Sequence, residues 1–340
     1  MTDLARAVAI VGPTAAGKSS LALAVAEPLG LPILCCDSVQ IYRGLDIGAA
    51  KPSAEDRSRV PHRLLDLVDP DQRFSAGEYG ALAQAELARG PAIICGGTGL
   101  YLRATGWTYS GRGPGDASPE TDEACNPDRG DRRVQFESQW MAREASEAGA
   151  IHRALCGRDP ETAAGIHPHN VVRALRSLWL CEHHQAPISA VRRQDPPRPV
   201  IELLMVVIDP GVAAVDAAID RRCEAMLTRG WLAEVEKLVA AGYDARYKAM
   251  RSLGYRELLD HIHGRSSLEQ AKTAIQRATR NYARRQRTYF RHQFKDLLPM
   301  ARIVNIDHPD AFPVARVAAF LAGETGLDTS SDPHLDRGPA

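Results

Sequence analysis

The sequence predicts an α/β fold, a parallel sheet flanked by helices with a helical subdomain inserted into it, on three observations. Short continuous apolar runs alternate with helical stretches through roughly the first hundred residues, as buried parallel strands and their crossover helices do. A glycine-rich loop joins the first run to the first helix. A segment of different composition then interrupts the alternation before another long apolar run resumes it.

In chain order, Ala7 to Val11 reads as a strand, Ser19 to Leu29 as a helix and Ile33 to Cys36 as a second strand. After a polar stretch, Ser75 to Ala88 has helical spacing and Pro91 to Cys95 forms another buried run. Between Thr108 and Asp131, Gly, Pro, Asp and Ser crowd together, which excludes a packed strand and predicts a linker or mobile loop. Val134 to Ala148 and Val171 to Glu182 are helical in pattern, and the proline-rich Gln194 to Pro199 breaks the chain again. Val200 to Ile208 is nearly continuous apolar, so the chain is expected to re-enter the first sheet there. Helices dominate beyond Val215, and Glu324 to Ala340 reads as a frayed tail. The expected organisation is a core of 1–105 and 196–323, an inserted helical domain of 106–195, and a disordered tail of 324–340.

Composition narrows the function. Forty-two Lys and Arg balance 42 Asp and Glu, so a polyanionic partner would need a segregated basic face. Seven cysteines with no C-x-x-C pair argue against a disulfide framework or a structural zinc site. The apolar run at Val8 to Val11 is too short for a signal peptide, and no stretch of about 18 apolar residues occurs. A soluble, cytoplasmic monomer with no membrane contact is the expectation.

Gly12-Pro13-Thr14-Ala15-Ala16-Gly17-Lys18-Ser19, continuing into Ser20, fits G-x-x-x-x-G-K-[ST] between a strand and a helix. This is a P-loop, and the predicted fold is P-loop NTPase-like. In that geometry the loop N–H groups and the helix dipole cradle a diphosphate, Lys18 adds a point charge, and the Ser19 hydroxyl reaches Mg²⁺. The motif specifies a di- or triphosphate without saying which. The second strand delivers Asp37 to the carboxyl edge of the sheet, where open α/β sheets bind ligands. Asp37 could hold Mg²⁺ through water, act as a general base, or cap a turn. Gly96-Gly97-Thr98-Gly99 follows the next buried run, so Thr98 reaches the same rim.

Between Gln270 and Phe294 there is no Asp or Glu, while Arg277, Arg280, Arg284, Arg287 and Arg291 step by 3, 4, 3 and 4 and so share one helix face. Arg285 lies beside them. A single-sign stripe on a neutral protein predicts an external polyanion, foremost a nucleic-acid backbone; salt bridges to acids such as Glu234 and Glu236 are the alternative. Arg173 and Arg176, behind His167 and His169, add basic groups to the insert. Trp140, Trp179 and Trp231 lie in apolar-periodic stretches and are expected in the core.

Several blocks together resemble the tRNA dimethylallyltransferase (isopentenyltransferase) family, in its shorter bacterial form. They are Gly12 to Ser19, Asp37-Ser38-Val39-Gln40-Ile41-Tyr42-Arg43-Gly44-Leu45-Asp46-Ile47-Gly48, Ala50-Lys51-Pro52, Pro61 to Asp66, Gly96 to Tyr101, Asp159 to Ala163, Ile166-His167-Pro168 and Leu253-Gly254-Tyr255-Arg256-Glu257. The resemblance implies transfer of a dimethylallyl group from its diphosphate to the exocyclic amine of the adenosine 3′ of the anticodon. It implies that the loop from Gly12 to Ser20 grips the donor diphosphate with Mg²⁺, that Asp37 accepts the amine proton, and that Thr98 contacts the pyrophosphate or base region. The base must leave its stack to reach this rim.

By the same resemblance, Asp37, Ser38, Val39 and Gln40 read the flipped adenosine. Arg173 and Arg176, then Arg251, Gly254, Tyr255 and Arg256, and finally Arg280, Arg284, Arg285, Arg287 and Arg291 face the anticodon stem-loop. The sequence departs from the family's Arg-Ile-x-x-Arg pattern at Ala218-Ile219-Asp220-Arg221-Arg222, where the first arginine is missing, and Arg222 is expected to take its place. Two other readings stay open from the residues: a P-loop kinase of a small metabolite, and a tRNA binder without turnover, for which Ala218 is the argument.

Overall fold

The computed structural model describes residues 4–108, 127–294, 301–308, 312 and 314–324. They divide into two units, Met1–Gly106 with Val200–Ala340 and Trp107–Pro199.

The first unit is built on a six-stranded sheet of β1 (Ala5–Val11), β2 (Ile33–Cys36), β3 (His62–Arg63), β4 (Ala92–Gly96), β7 (Ile201–Ile208) and β8 (Ala301–Ile306), while β5 (Trp107–Thr108) and β6 (Arg198–Pro199) belong to the second unit. The spatial order is β3-β2-β4-β1-β7-β8 and every pairing is parallel, as the alternation of apolar runs predicts. Central β1 is closed off from water on both faces, with Ala7, Val8, Ala9 and Ile10 at 0% exposure. Each such Val or Ile contributes about 1.5–3 kcal/mol of burial, which fixes register as well as stability. That register sets Val11 opposite Gly96 and Val207, and Cys36 opposite Gly96, so the carboxyl ends of β1, β2, β4 and β7 finish along one edge.

The helices of the first 106 residues are α1 (Lys18–Leu29), α2 (Ala54–Arg59), α3 (Ala76–Leu87) and α4 (Gly99–Gly106). Helix α3 starts where Ser75 and Glu78 cap each other's backbone N–H groups, a local signal that stops it one residue inside the predicted start. The polar stretch between β2 and α3 is not open loop. Lys51, its side chain 2% exposed, donates from Nζ to the Tyr42 carbonyl at 2.7 Å and to Asp46 at 2.7 Å, and also pairs with Asp66. Gln40 donates to the carbonyls of Ala49 and Ala50 at 3.1 and 3.2 Å.

The second unit holds α5 (Pro127–Ser146), α6 (Ala150–Arg158), α7 (Pro160–Ala164), α8 (Val171–His184) and α9 (Ile188–Gln194), with the short antiparallel pair β5 (Trp107–Thr108) and β6 (Arg198–Pro199). Its own core gathers Ile151, Leu155, Ile166, Leu175, Leu178 and Ile188. Asp159, 1% exposed, ties the unit together by accepting from Thr162 N at 3.0 Å, Thr162 Oγ1 at 2.7 Å and Ser189 N at 2.8 Å. Burial acts to raise its carboxyl, and these hydrogen bonds outweigh it, holding the group at about 2. The predicted loop ends sooner than its composition suggests, because α5 begins at Pro127, a residue that suits a first helical turn. The rest of that loop, 109–126, and the tail from 325 lie outside the described residues.

Returning to the first unit, β7 leads to α10 (Val212–Thr228), α11 (Trp231–Ala240), a single 3₁₀ turn at Ala249–Arg251, α12 (Tyr255–Ile262), α13 (Leu268–His292) and α14 (Val314–Ala322). Trp231 and Trp179 are buried and Trp140 packs half-buried against its core, as their apolar surroundings predict. Edge strand β8 gives only a short apolar signal, Ile303-Val304 and Ile306, after a long helical run, and sequence periodicity passes over it.

Candidate active site

The site is the edge where β1, β2, β4 and β7 end. Straight after β1, Gly12 takes φ 145°, and a Cβ there would fall 2.2 Å from the Ile208 carbonyl at the end of β7, so only glycine passes. Ala15 at φ 63° and Gly17 at φ 89° complete the turn into α1, whose N-cap is Gly17. The loop amides and the helix N-terminus form the anion cradle that the motif requires. Ser19 and Ser20 are exposed in the first turn. Lys18 Nζ donates to the Pro13 carbonyl at 2.7 Å. Burial pushes its ammonium down to about 8, with Arg222 adding to the shift and Asp37 and Cys95 opposing it.

Asp37, one residue past β2, accepts from Val39 N through Oδ1 at 2.8 Å. The turn-capping role therefore exists, and it engages one carboxylate oxygen, leaving Oδ2 for chemistry. Thr98 Oγ1 accepts from Ser38 N at 3.1 Å, and Thr98 N donates to the Cys36 carbonyl at 3.2 Å, so the turn after β4 is stitched to the turn after β2. Tyr282 from α13 lies beside Thr98 and Asp37; burial pushes its phenol up and the Asp37 charge pushes it further.

Arg222 comes from α10, which packs Val215 and Ile219 against Ala283 and the loop residue Ala15. One helical turn after Ile219, the Arg222 guanidinium lies in the fields of Lys18 and Asp37, half-buried; burial lowers it and Asp37 opposes the shift. Arg221 points to solvent and Ala218 is half-buried. The rim thus brings together Gly12 to Ser20, Asp37 to Gln40, Thr98 and Arg222. Sequence reasoning missed Gln286 and Tyr282 because their partners are remote in the chain: Gln286 is 272 residues from Thr14.

The arginine stripe divides. Arg280 pairs with Asp220 at 2.5 and 2.6 Å, and Arg287, its side chain 14% exposed, grips Asp209 through two bonds of 2.5 and 2.6 Å. These two are internal ion pairs, not exposed phosphate ligands as the spacing suggested, and the acids are aspartates of α10 and the end of β7, not Glu234 or Glu236. Arg277, Arg284, Arg285 and Arg291 are exposed. Gly254 and Tyr255, expected at an RNA surface, are buried. Tyr255 donates its hydroxyl to Glu234 at 2.7 Å, and Glu234 also accepts from the amides of Asp46, Ile47 and Gly48 at 3.0, 2.6 and 3.2 Å. Arg251 and Arg256 remain exposed; in the second unit Arg173 is exposed and Arg176 half-buried on α8.

The Ser19 hydroxyl is a hard oxygen donor that suits Mg²⁺ shared with phosphate oxygens. No cluster of three or more His, Cys, Asp or Glu that could hold a metal occurs among the described residues, and no helix there is long and apolar enough to cross a membrane.

A phosphate loop at the end of a central parallel strand, with a lysine, an arginine and a carboxylate around it, places this chain among the P-loop α/β proteins. The sequence profile "IPP transferase" matches residues 40–293 and "Isopentenyl transferase" matches 5–66, and the chain belongs to the IPP transferase family. It is 38% identical over 294 residues to a tRNA dimethylallyltransferase of Pelotomaculum thermopropionicum, covering 85% of this chain and 88% of the relative. A tRNA dimethylallyltransferase 1 of Citrifermentans bemidjiense is 40% identical over 291 residues, covering 84% and 89%. The crystal structure of the tRNA isopentenylpyrophosphate transferase of Bacillus halodurans is similar at a TM-score of 0.60 and 30% identity, over 94% of this chain and 96% of that one.

Proposed function

We propose that this chain transfers a dimethylallyl group from dimethylallyl diphosphate to N6 of the adenosine 3′ of the anticodon in tRNA, releasing pyrophosphate. The observation that carries the reading is Asp37. One carboxylate oxygen is fixed by the Val39 amide, and the other is left on the rim that holds the phosphate loop, Lys18 and Arg222. That is the arrangement a displacement needs: a base on the nucleophile's side and cations on the leaving group's side.

As the adenine nitrogen bonds the allylic carbon, the carbon–oxygen bond to the diphosphate breaks. Asp37 Oδ2 takes the proton from the amine, while the charge growing on the diphosphate is held by Lys18, Arg222 and the loop amides nearest Gly17. Ser19 would hold Mg²⁺, which supplies charge neutralisation to the diphosphate when bound. The base reaches Asp37 only by leaving its stack, and Ser38, Val39 and Gln40 line its approach. Exposed Arg251, Arg256, Arg284, Arg285 and Arg291, with Arg173 on the second unit, suit the phosphates of the stem-loop.

The test is incubation with Mg²⁺, isotopically labelled dimethylallyl diphosphate and unmodified tRNA bearing adenosine 3′ of its anticodon, followed by nucleoside mass spectrometry. Label on that adenosine is expected; transfer from ATP instead would overturn the reading. Asp37→Ala is expected to lower kcat by about 10²–10⁴-fold with tRNA affinity within about twofold of wild type. Loss of tRNA binding instead would make Asp37 a reader of the base.

A further inference from the structure

Gln286 sits on the inner face of α13, 5% exposed, and is the one uncharged polar side chain of that helix buried to this degree. Both ends of its amide are engaged. Oε1 accepts from Thr14 N in the phosphate loop at 2.8 Å, and Nε2 donates to the Gly97 carbonyl in the turn after β4 at 2.9 Å. The contact is close enough that a Cβ on Gly97 would fall 2.0 Å from Nε2. No covalent neighbour ties the two loops together; Thr14 and Gly97 are joined through an amide carried by a third element. One turn earlier on the same helix, Tyr282 lies beside Thr98 and Asp37.

We infer that Gln286 is a positioning residue for the proposed transfer, an inference that rests on that reading of the site. It sets the spacing between the loop that holds the diphosphate and the turn that, through Thr98, holds Ser38 and the Asp37 turn. It also takes the Thr14 N–H away from the anion, so that this amide orients the loop while the amides nearer Gly17 face the phosphate. An amide is needed because the bridge has one donor and one acceptor end: a carboxylate satisfies Thr14 and opposes the Gly97 carbonyl, and an apolar chain leaves both groups buried and unpaired.

The test compares Gln286→Glu and Gln286→Met with wild type in pyrophosphate–Mg²⁺ binding by calorimetry, in donor and tRNA KM, and in thermal unfolding. Gln286→Glu is expected to weaken pyrophosphate binding about tenfold at pH 8. Relative to wild type, it should recover most of that loss by pH 6, where the protonated acid again donates to Gly97. Gln286→Met is expected to weaken binding at both pH values, and in both variants the donor KM rises while the tRNA KM stays within twofold. Pyrophosphate affinity equal to wild type in Gln286→Glu at both pH values overturns the inference. So does a loss that is identical at pH 6 and pH 8, since general damage has no reason to track that proton. If Gln286→Met does not fold, the Gln286→Glu profile alone decides. Absence of prenyl transfer by the wild type would sink the proposed reaction while leaving the pyrophosphate comparison to judge the bridge.

Discussion

Lys18 combines a structural bond with a chemical duty. Its half-buried ammonium, held under the loop by the Pro13 carbonyl, is pushed down to about 8 first by burial and then by Arg222. A depressed lysine is charged below that value and neutral above it, so affinity for a diphosphate falls as pH rises through about 8. An arriving anion lifts the lysine again, so binding takes up a proton near that pH. Calorimetry of pyrophosphate binding in buffers of different ionisation heat is expected to show that uptake at pH 8 and almost none at pH 6.5, and Lys18→Met is expected to abolish it. Lys18 and Asp37 were legible because their positions follow from local spacing, a motif between strand and helix and a residue just past a strand end. Asp37's three possible roles were not separable, since the Val39 bond that engages one oxygen depends on the turn's conformation.

Helix α13 shows how far periodicity goes. Steps of 3 and 4 place five arginines on one side, but the stripe is wide enough to contain two files. Arg277, Arg284 and Arg291 lie outermost, while Arg280 and Arg287 turn toward α10 and the end of β7. The aspartates that claim the inner file are 60 and 78 residues away in sequence, and so a charge pattern read along one helix cannot show them. The two files have different consequences. Arg284→Ala with Arg291→Ala is expected to weaken tRNA binding and lower the slope of log affinity against log salt by about 0.7–0.9 per lost contact, with thermal stability unchanged. Arg287→Ala is expected to cost about 1.5–3 kcal/mol of stability by leaving Asp209 with the Gly211 amide but without its charged partner, read from denaturant unfolding, with no more than a small change in salt slope.

At the level of the whole molecule, the sheet was legible wherever strands are buried on both faces, because β1, β4 and β7 are continuous apolar runs. It was not legible at its edges, where β3 is two residues and the apolar run of β8 is broken by Arg302 and Asn305. The same limit explains Gln286 and Glu234: each acts on a loop that the chain's topology, not its local sequence, brings to it. Glu234 carries a consequence for amide hydrogen exchange. Its carboxylate receives the backbone N–H groups of Asp46, Ile47 and Gly48 from 186 to 188 residues away, on a stretch that Lys51 and Gln40 also pin. Those three amides belong to no helix or strand and would ordinarily exchange in seconds. Here they are expected to be protected to the degree of the sheet interior, and Glu234→Ala is expected to cut their protection at least tenfold while β1 amides keep theirs. A base entering beside Asp37 then meets a surface that is set before it arrives.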